Sequence, residues 1–136
     1  MVVLIQFLLL AAGLALLIAG AHWLVDGAGY LARRGYRILE RNFRTRMGEI
    51  DVIARDGDVL VFVEVKARRT DAFGGASSSV DRKKRVRLAK LARAYLHRRG
   101  WADRPCRFDL VTIRGGDGME PSVDLLQNAF DAEEES

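Results

Sequence analysis

Residues Gly48 to Arg69 read GEIDVIARDGDVLVFVEVKARR. Two runs rich in β-branched and apolar residues flank Arg55-Asp56-Gly57-Asp58, and an Asp-Gly pair between such runs is a strong short-range signal for a β-hairpin. The pattern predicts one strand from Gly48 to Ala54 and a second from Val59 to Ala67, whose unbroken LVFV run suits a buried central position. Side chains alternate between the faces of a strand. Glu49 and Asp51 therefore share one face of the first strand, and Glu64 and Lys66 share one face of the second. Ile50 and Val52, with Val63 and Val65, are expected to form an apolar layer beside them. Pairing the strands brings three carboxylates and one lysine together. Carboxylates that close repel one another unless a hard cation such as magnesium sits among them.

The rest of the chain extends this hairpin into one domain. Tyr36 to Arg44 is predicted as a strand ahead of it. Beyond a polar loop, Ser79 is a candidate N-cap for a helix running from Val80 to Arg99. Val86, Leu88, Leu91, Ala92, Tyr95 and Leu96 fall at helical spacing, while Arg82, Lys83, Lys84, Arg85, Arg87, Lys90 and Arg93 make the rest of its surface cationic. Gly100 closes it. A strand from Arg107 to Arg114 and a short one from Ser122 to Leu126 follow, and the acidic end, residues 131–136, is expected to be disordered. This order predicts an α/β fold, a mixed sheet flanked by helices and preceded by an apolar N-terminal helix. Three parts result: residues 1–32, residues 33–130 and the tail at 131–136.

The charge is unevenly distributed. Residues 1–32 hold one charged side chain, Asp26, whereas residues 33–116 hold 22 basic and 10 acidic groups, a net +12. Such a block favours a polyanionic partner, either nucleic acid or an anionic membrane surface. The single cysteine, Cys106, excludes an intrachain disulfide and cannot anchor a structural zinc site. It reads as a half-buried thiol beside a strand.

Residues 1–25 are uncharged and long enough to cross a bilayer as a helix, and Arg33, Arg34 and Arg37 follow soon after. The positive-inside tendency then puts the charged domain in the cytoplasm, anchored to the inner or plasma membrane. A greasy helix docked on the domain is the other reading. His22 and Asp26 share a helical face and read as interfacial polar groups.

The hairpin carries the chemistry. Asp51 and Glu64, with the Val65 carbonyl between Glu64 and Lys66, can hold Mg2+ or Mn2+ against a phosphodiester. Lys66 can position or deprotonate a water, or stabilise charge in the transition state. Arg82, Lys83, Lys84, Arg87 and Lys90 on the basic helix are candidate phosphate contacts. A solvated cationic face and attraction to anionic lipid remain alternatives there. The leading expectation is a metal-dependent endonuclease-like domain that binds DNA, against two others: a catalytically weak or inactive nucleic-acid-binding protein, and a membrane-tethered interaction protein.

Two resemblances bear on this. LLLAAGLALLIAGAHWLVDGAGYLARR is similar to the opening transmembrane helix of sodium/calcium exchanger-type antiporters. One helix without repeated bundles enclosing ion ligands cannot transport ions, so no such activity is expected. From residue 33 to 130, the segments RRGYRILERNFRTRMGEIDVIARDGDVLVFVEVKARR, SSVDRKKRVRLAKLARAYL, RFDLVTI and QNAF resemble the YraN family of predicted nucleases, relatives of Holliday-junction resolvases and restriction enzymes. That resemblance implies a restriction-endonuclease-like fold, action on branched DNA, a homodimer, and a metal site whose aspartate, glutamate and lysine fall on Asp51, Glu64 and Lys66. Glu49 lies within its GEID motif. It also implies an acid on the first helix, near Leu24, where only Asp26 stands close.

Overall fold

The computed structural model describes residues 27–68, 80–115 and 122–131. Helix α1, helical over residues 27–33, leads into a five-stranded sheet. The strands are β1 (Arg37–Thr45), β2 (Gly48–Asp56), β3 (Val59–Arg68), β4 (Cys106–Arg114) and β5 (Ser122–Phe130), and helix α2 (Arg82–Arg99) lies between β3 and β4. The sheet order follows the chain, β1-β2-β3-β4-β5. Every neighbouring pair is antiparallel except β3 and β4. A parallel pair needs a long crossover, and the connection containing α2 provides it. The predicted mixed sheet flanked by helices is what forms.

Each helix covers one face. On the α2 side, Leu88, Leu91, Ala92, Tyr95 and Leu96 pack on Ile53, Leu60, Phe62, Phe108 and Leu110. Tyr95 is the centre of that layer, meeting Phe43 and Phe62 edge-on at centroid distances of 5.2 and 5.9 Å. Edge-to-face contact places ring hydrogens on a neighbouring π-face and adds to the burial of the rings. On the other side, Ala28 and Leu31 of α1 join Tyr36, Val52, Ala54, Val61, Val63, Val111 and Ile113. A Cβ on Gly27 would stand 3.2 Å from both γ-carbons of Val65, so α1 approaches β3 closely at that residue.

Several boundaries differ from the sequence reading. Helix α2 is capped by Asp81, whose carboxylate accepts the Lys84 N–H at 2.9 Å; the predicted cap, Ser79, lies outside the described residues. The last strand runs on to Phe130, because Phe130 stacks on Phe108 at 4.5 Å and continues the core. Cys106 is exposed rather than half-buried, since it opens β4 at the sheet's rim. Ile50 and Val52 do not share a layer: Ile50 joins the α2-side cluster and Val52 the opposite one. The left-handed backbone of Asn42, with φ 53°, accompanies this change of face. It lies between the pairs Arg41–Val52 and Phe43–Ile50.

Among the described residues no helix is long and apolar enough to cross a membrane. The segment from which an apolar N-terminal helix and a membrane anchor were expected, residues 1–25, lies outside the described residues, as does Asp26.

Candidate active site

The hairpin of β2 and β3 pairs regularly from Asp56–Val59 to Val52–Val63 and then opens. The first residues past the last rung are Asp51 and Glu64. In that fork the Asp51 carboxylate replaces a ladder acceptor, taking the Val65 N–H at 2.8 Å. The N–H and C=O of one strand residue point to the same edge. The Val65 carbonyl therefore faces the same gap as the Asp51 carboxylate. On its far side β3 stays fully paired with β4, from Leu60–Cys106 to Arg68–Arg114. A fork in one ladder and an intact ladder behind it give a rigid strand with one open edge.

Asp51 and Glu64 line a recess of 220 Å3 together with Glu49, Lys84, Arg87 and Leu88. Burial pushes the Asp51 carboxyl up to about 7, and the negative charges of Glu64 and Glu49 push the same way; the Val65 N–H works against them. Glu64 is nearly inaccessible, at 6% exposure, and its carboxylate forms an ion pair with the Lys84 ammonium. Glu49 sits at the rim and accepts the Arg44 Nε–H at 3.0 Å. Among the described residues no three carboxylate, histidine or cysteine side chains stand as a ready-made metal centre. Two of the three acids are each paired with a cation, Glu64 with Lys84 and Glu49 with Arg44.

The donor chemistry nonetheless fits a hard divalent ion. Two carboxylates and a strand carbonyl are the oxygen ligands such ions take. The raised Asp51 carboxyl reports negative charge that a cation would relieve. Lys66 follows Glu64 at the spacing that returns a side chain to the same face, is half-buried, and pairs in register with Thr112 of β4.

The basic helix divides into two sets. Arg82, Lys83, Arg87, Lys90 and Arg93 are exposed. Lys83, Arg87 and Lys90 line a larger groove of 490 Å3, with Met47, Asp81 and Val86, alongside the acidic recess. Lys84 belongs to neither the exposed set nor that groove, because it turns inward to Glu64. The sequence held the signal for this. Lys84 stands four residues before Leu88 and seven before Leu91, which places it on the core-facing stripe of the helix.

A second polar centre, on the opposite face of the sheet, escaped the sequence reading. The Asp109 side chain is fully buried and accepts from Tyr36 Oη at 2.9 Å, Arg107 Nε at 3.0 Å and the Asn128 N–H at 2.9 Å. Arg107 also reaches Asp56 and the Tyr36 hydroxyl, each at 2.7 Å, and Gln127 donates to that hydroxyl at 2.7 Å. Asn128 adopts φ 52° where β5 bulges against β4. The segments RFDLVTI and QNAF thus meet as one buried network. An Arg-x-Asp pair inside an otherwise apolar strand was its sequence signal, since charges are rarely buried there without partners.

Comparison with known proteins gives the chain a family. A model described as the uncharacterised protein family UPF0102 matches residues 27–113. A UPF0102 protein of Pseudomonas paraeruginosa is 49% identical over 105 residues, covering 76% of this chain and 84% of the relative. One of Symbiobacterium thermophilum is 50% identical over 105 residues, covering 77% and 89%. One of Moorella thermoacetica is 52% identical over 86 residues, covering 63% and 72%. The match opens at Gly27, inside the stretch that resembles an exchanger helix, so the exchanger resemblance gains no support. Residues Ala28 and Leu31, at the end of that stretch, are core residues of the sheet domain. With a family model across most of the sheet and relatives near half identity, the chain belongs to the uncharacterised protein family UPF0102.

Proposed function

We propose that this chain is a metal-dependent, nuclease-like protein that binds DNA across α2 and hydrolyses phosphodiester bonds at the fork of β2 and β3. One observation carries the reading. Asp51 and Glu64 share a recess at the open end of a paired hairpin, where burial and mutual repulsion raise the Asp51 carboxyl to about 7. A perturbed carboxyl held in a recess beside a second acid marks a candidate site of chemistry rather than plain surface solvation.

Asp51, Glu64 and the Val65 carbonyl would hold Mg2+ or Mn2+. The ion, when bound, supplies charge neutralisation at the phosphate and a more acidic water. The remaining roles belong to the chain. The Val65 N–H fixes the orientation of the Asp51 carboxylate. Lys66 supplies an ammonium on the face of Glu64, suited to steadying charge that develops on the phosphate oxygens. Arg87 lines both the recess and the groove beside it, which makes it the side chain best placed to bridge a scissile phosphate and its neighbours. Arg82, Lys83 and Lys90 add exposed positive charge along the same helix.

Binding without cleavage is the second reading. It is favoured by the cations already paired with Glu64 and Glu49. Incubating the full chain with linear and branched DNA in Mg2+ or Mn2+ separates the two. Cleavage is expected, and Asp51→Ala and Lys66→Ala should each lower it by at least about a hundredfold while leaving binding nearly intact. Cleavage that persists unchanged in both variants would remove the site from consideration. Binding with no cleavage in the unaltered chain would establish the second reading.

A further inference from the structure

We propose that Lys84 is a latch, holding the Glu64 carboxylate when no substrate is bound and yielding it to a divalent cation when a phosphate draws the lysine away. The inference rests on the nuclease reading above and names how its site is regulated.

Glu64 is the deepest acid of the recess. A carboxylate that buried is costly unless paired. In the free protein Lys84 is its ion-pair partner, reaching down from the first turn of α2. The pair is asymmetric: the Glu64 side chain is 7% exposed and that of Lys84 is 35% exposed. The lysine can therefore be recruited from solvent, whereas the glutamate cannot move out to meet it. A divalent ion on Glu64 would stand beside the same ammonium, and two cations there repel.

The recess also explains what relieves that conflict. Lys84 lies between the acids and the exposed cations of its own helix, with Lys83 next in sequence and Arg87 one turn on. Arg87 lines both cavities, so a nucleic-acid backbone lying in the larger groove passes the mouth of the acidic recess. A phosphate at that mouth offers Lys84 a second anion on its solvent side. Cation and phosphate then strengthen each other, because each removes a cost the other would meet alone. Lys84 acts through Glu64 and is a positioning residue.

The test reads binding, not turnover. Ca2+ takes the same hard oxygen ligands and serves as probe. Calorimetry on the full chain gives the affinity for Ca2+ alone, and fluorescence anisotropy of a short labelled DNA duplex, in chelator and in saturating Ca2+, gives the coupling factor. That factor is the same whichever ligand is varied. A lysine that added the same to phosphate binding in both arms would cancel in the ratio, so the factor reads only the contribution that changes when the ion is bound. Lys84→Met is expected to bind Ca2+ alone about tenfold more tightly, the effect of one charge at a few ångströms in a wet site, and to show a coupling factor about tenfold smaller. Lys84→Arg keeps the charge and should keep most of the coupling. Unchanged Ca2+ affinity and unchanged coupling in a folded Lys84→Met chain, with Asp51→Asn still abolishing Ca2+ binding, would overturn the latch and leave the metal site standing. Failure of the unaltered chain to bind Ca2+, or full binding in Asp51→Asn, would overturn the site and the latch together.

Discussion

Asp51 shows what one residue's surroundings do to its acidity. Its folded-state carboxyl holds a proton up to about 7, whereas an unfolded chain releases it near the ordinary aspartate value of 3.8. Between those values the folded state binds the extra proton, so this group's contribution to stability is lost as pH rises through that window. The loss is up to about 4 kcal/mol for an isolated shift of that size. Chemical denaturation should therefore find the metal-free protein more stable at pH 5 than at pH 8. Asp51→Asn, which keeps an acceptor for the Val65 N–H, should be the more stable chain at pH 8 and nearly flat across the range. Wild-type stability that does not change between pH 5 and 8 would contradict the buried, repelled carboxyl. Asp109 makes the opposite case, since every partner satisfies it. Arg107→Ala would leave its carboxylate buried with one cation fewer, at a cost of about 3 kcal/mol or more, measurable as a fall in denaturation midpoint. That cost should appear without a matching loss of DNA affinity, because the network lies on the face away from α2.

At the scale of elements, local sequence decides ends and turns while packing decides faces. Asp81→Ala removes the acceptor for the Lys84 N–H and should destabilise the chain by about 1 kcal/mol. Gly48→Ala should cost more, about 2 kcal/mol, because φ is +141° there and the added carbon would stand 3.0 Å from Arg87 Cδ. Thermal melting of both variants checks the order. The hairpin of β2 and β3 was legible because its turn chemistry and its two-residue period agree, and α2 was legible because its apolar residues recur at helical spacing. Asp51 and Glu64 were placed together by that period and by the strand pairing that the Asp56-Gly57 turn imposes. The break of layer at Ile50 was not legible, since it follows a left-handed Asn42 on the neighbouring strand, and no local pattern in β2 announces it. The Asp109 network was missed for a related reason: its members come from β4, β5, the end of β2 and the residue before β1. Lys84 was hidden by composition, as one lysine in a run of cations, although its helical phase set it apart.

Across the whole molecule the governing quantity is charge. Residues 33–116 hold twenty-two basic groups against ten acidic ones, so the proposed affinity for DNA should depend steeply on salt. The slope of log affinity against log salt should fall by about 0.9 for each phosphate no longer neutralised, so Lys83→Ala and Lys90→Ala should act alike and additively. A slope unaffected by either would mean that α2 does not face the nucleic acid. The crossover between β3 and β4 has a consequence for how such a protein diversifies. Among the described residues the acids of the recess lie within Glu49 to Glu64, on one contiguous hairpin, whereas the cations over it lie on the eighteen residues of α2. Reaction and address are thus written in separate paragraphs of the same text. On the nuclease reading, recombination or drift in the second would redirect the protein to a differently shaped polyanion while the bond it breaks stays the same.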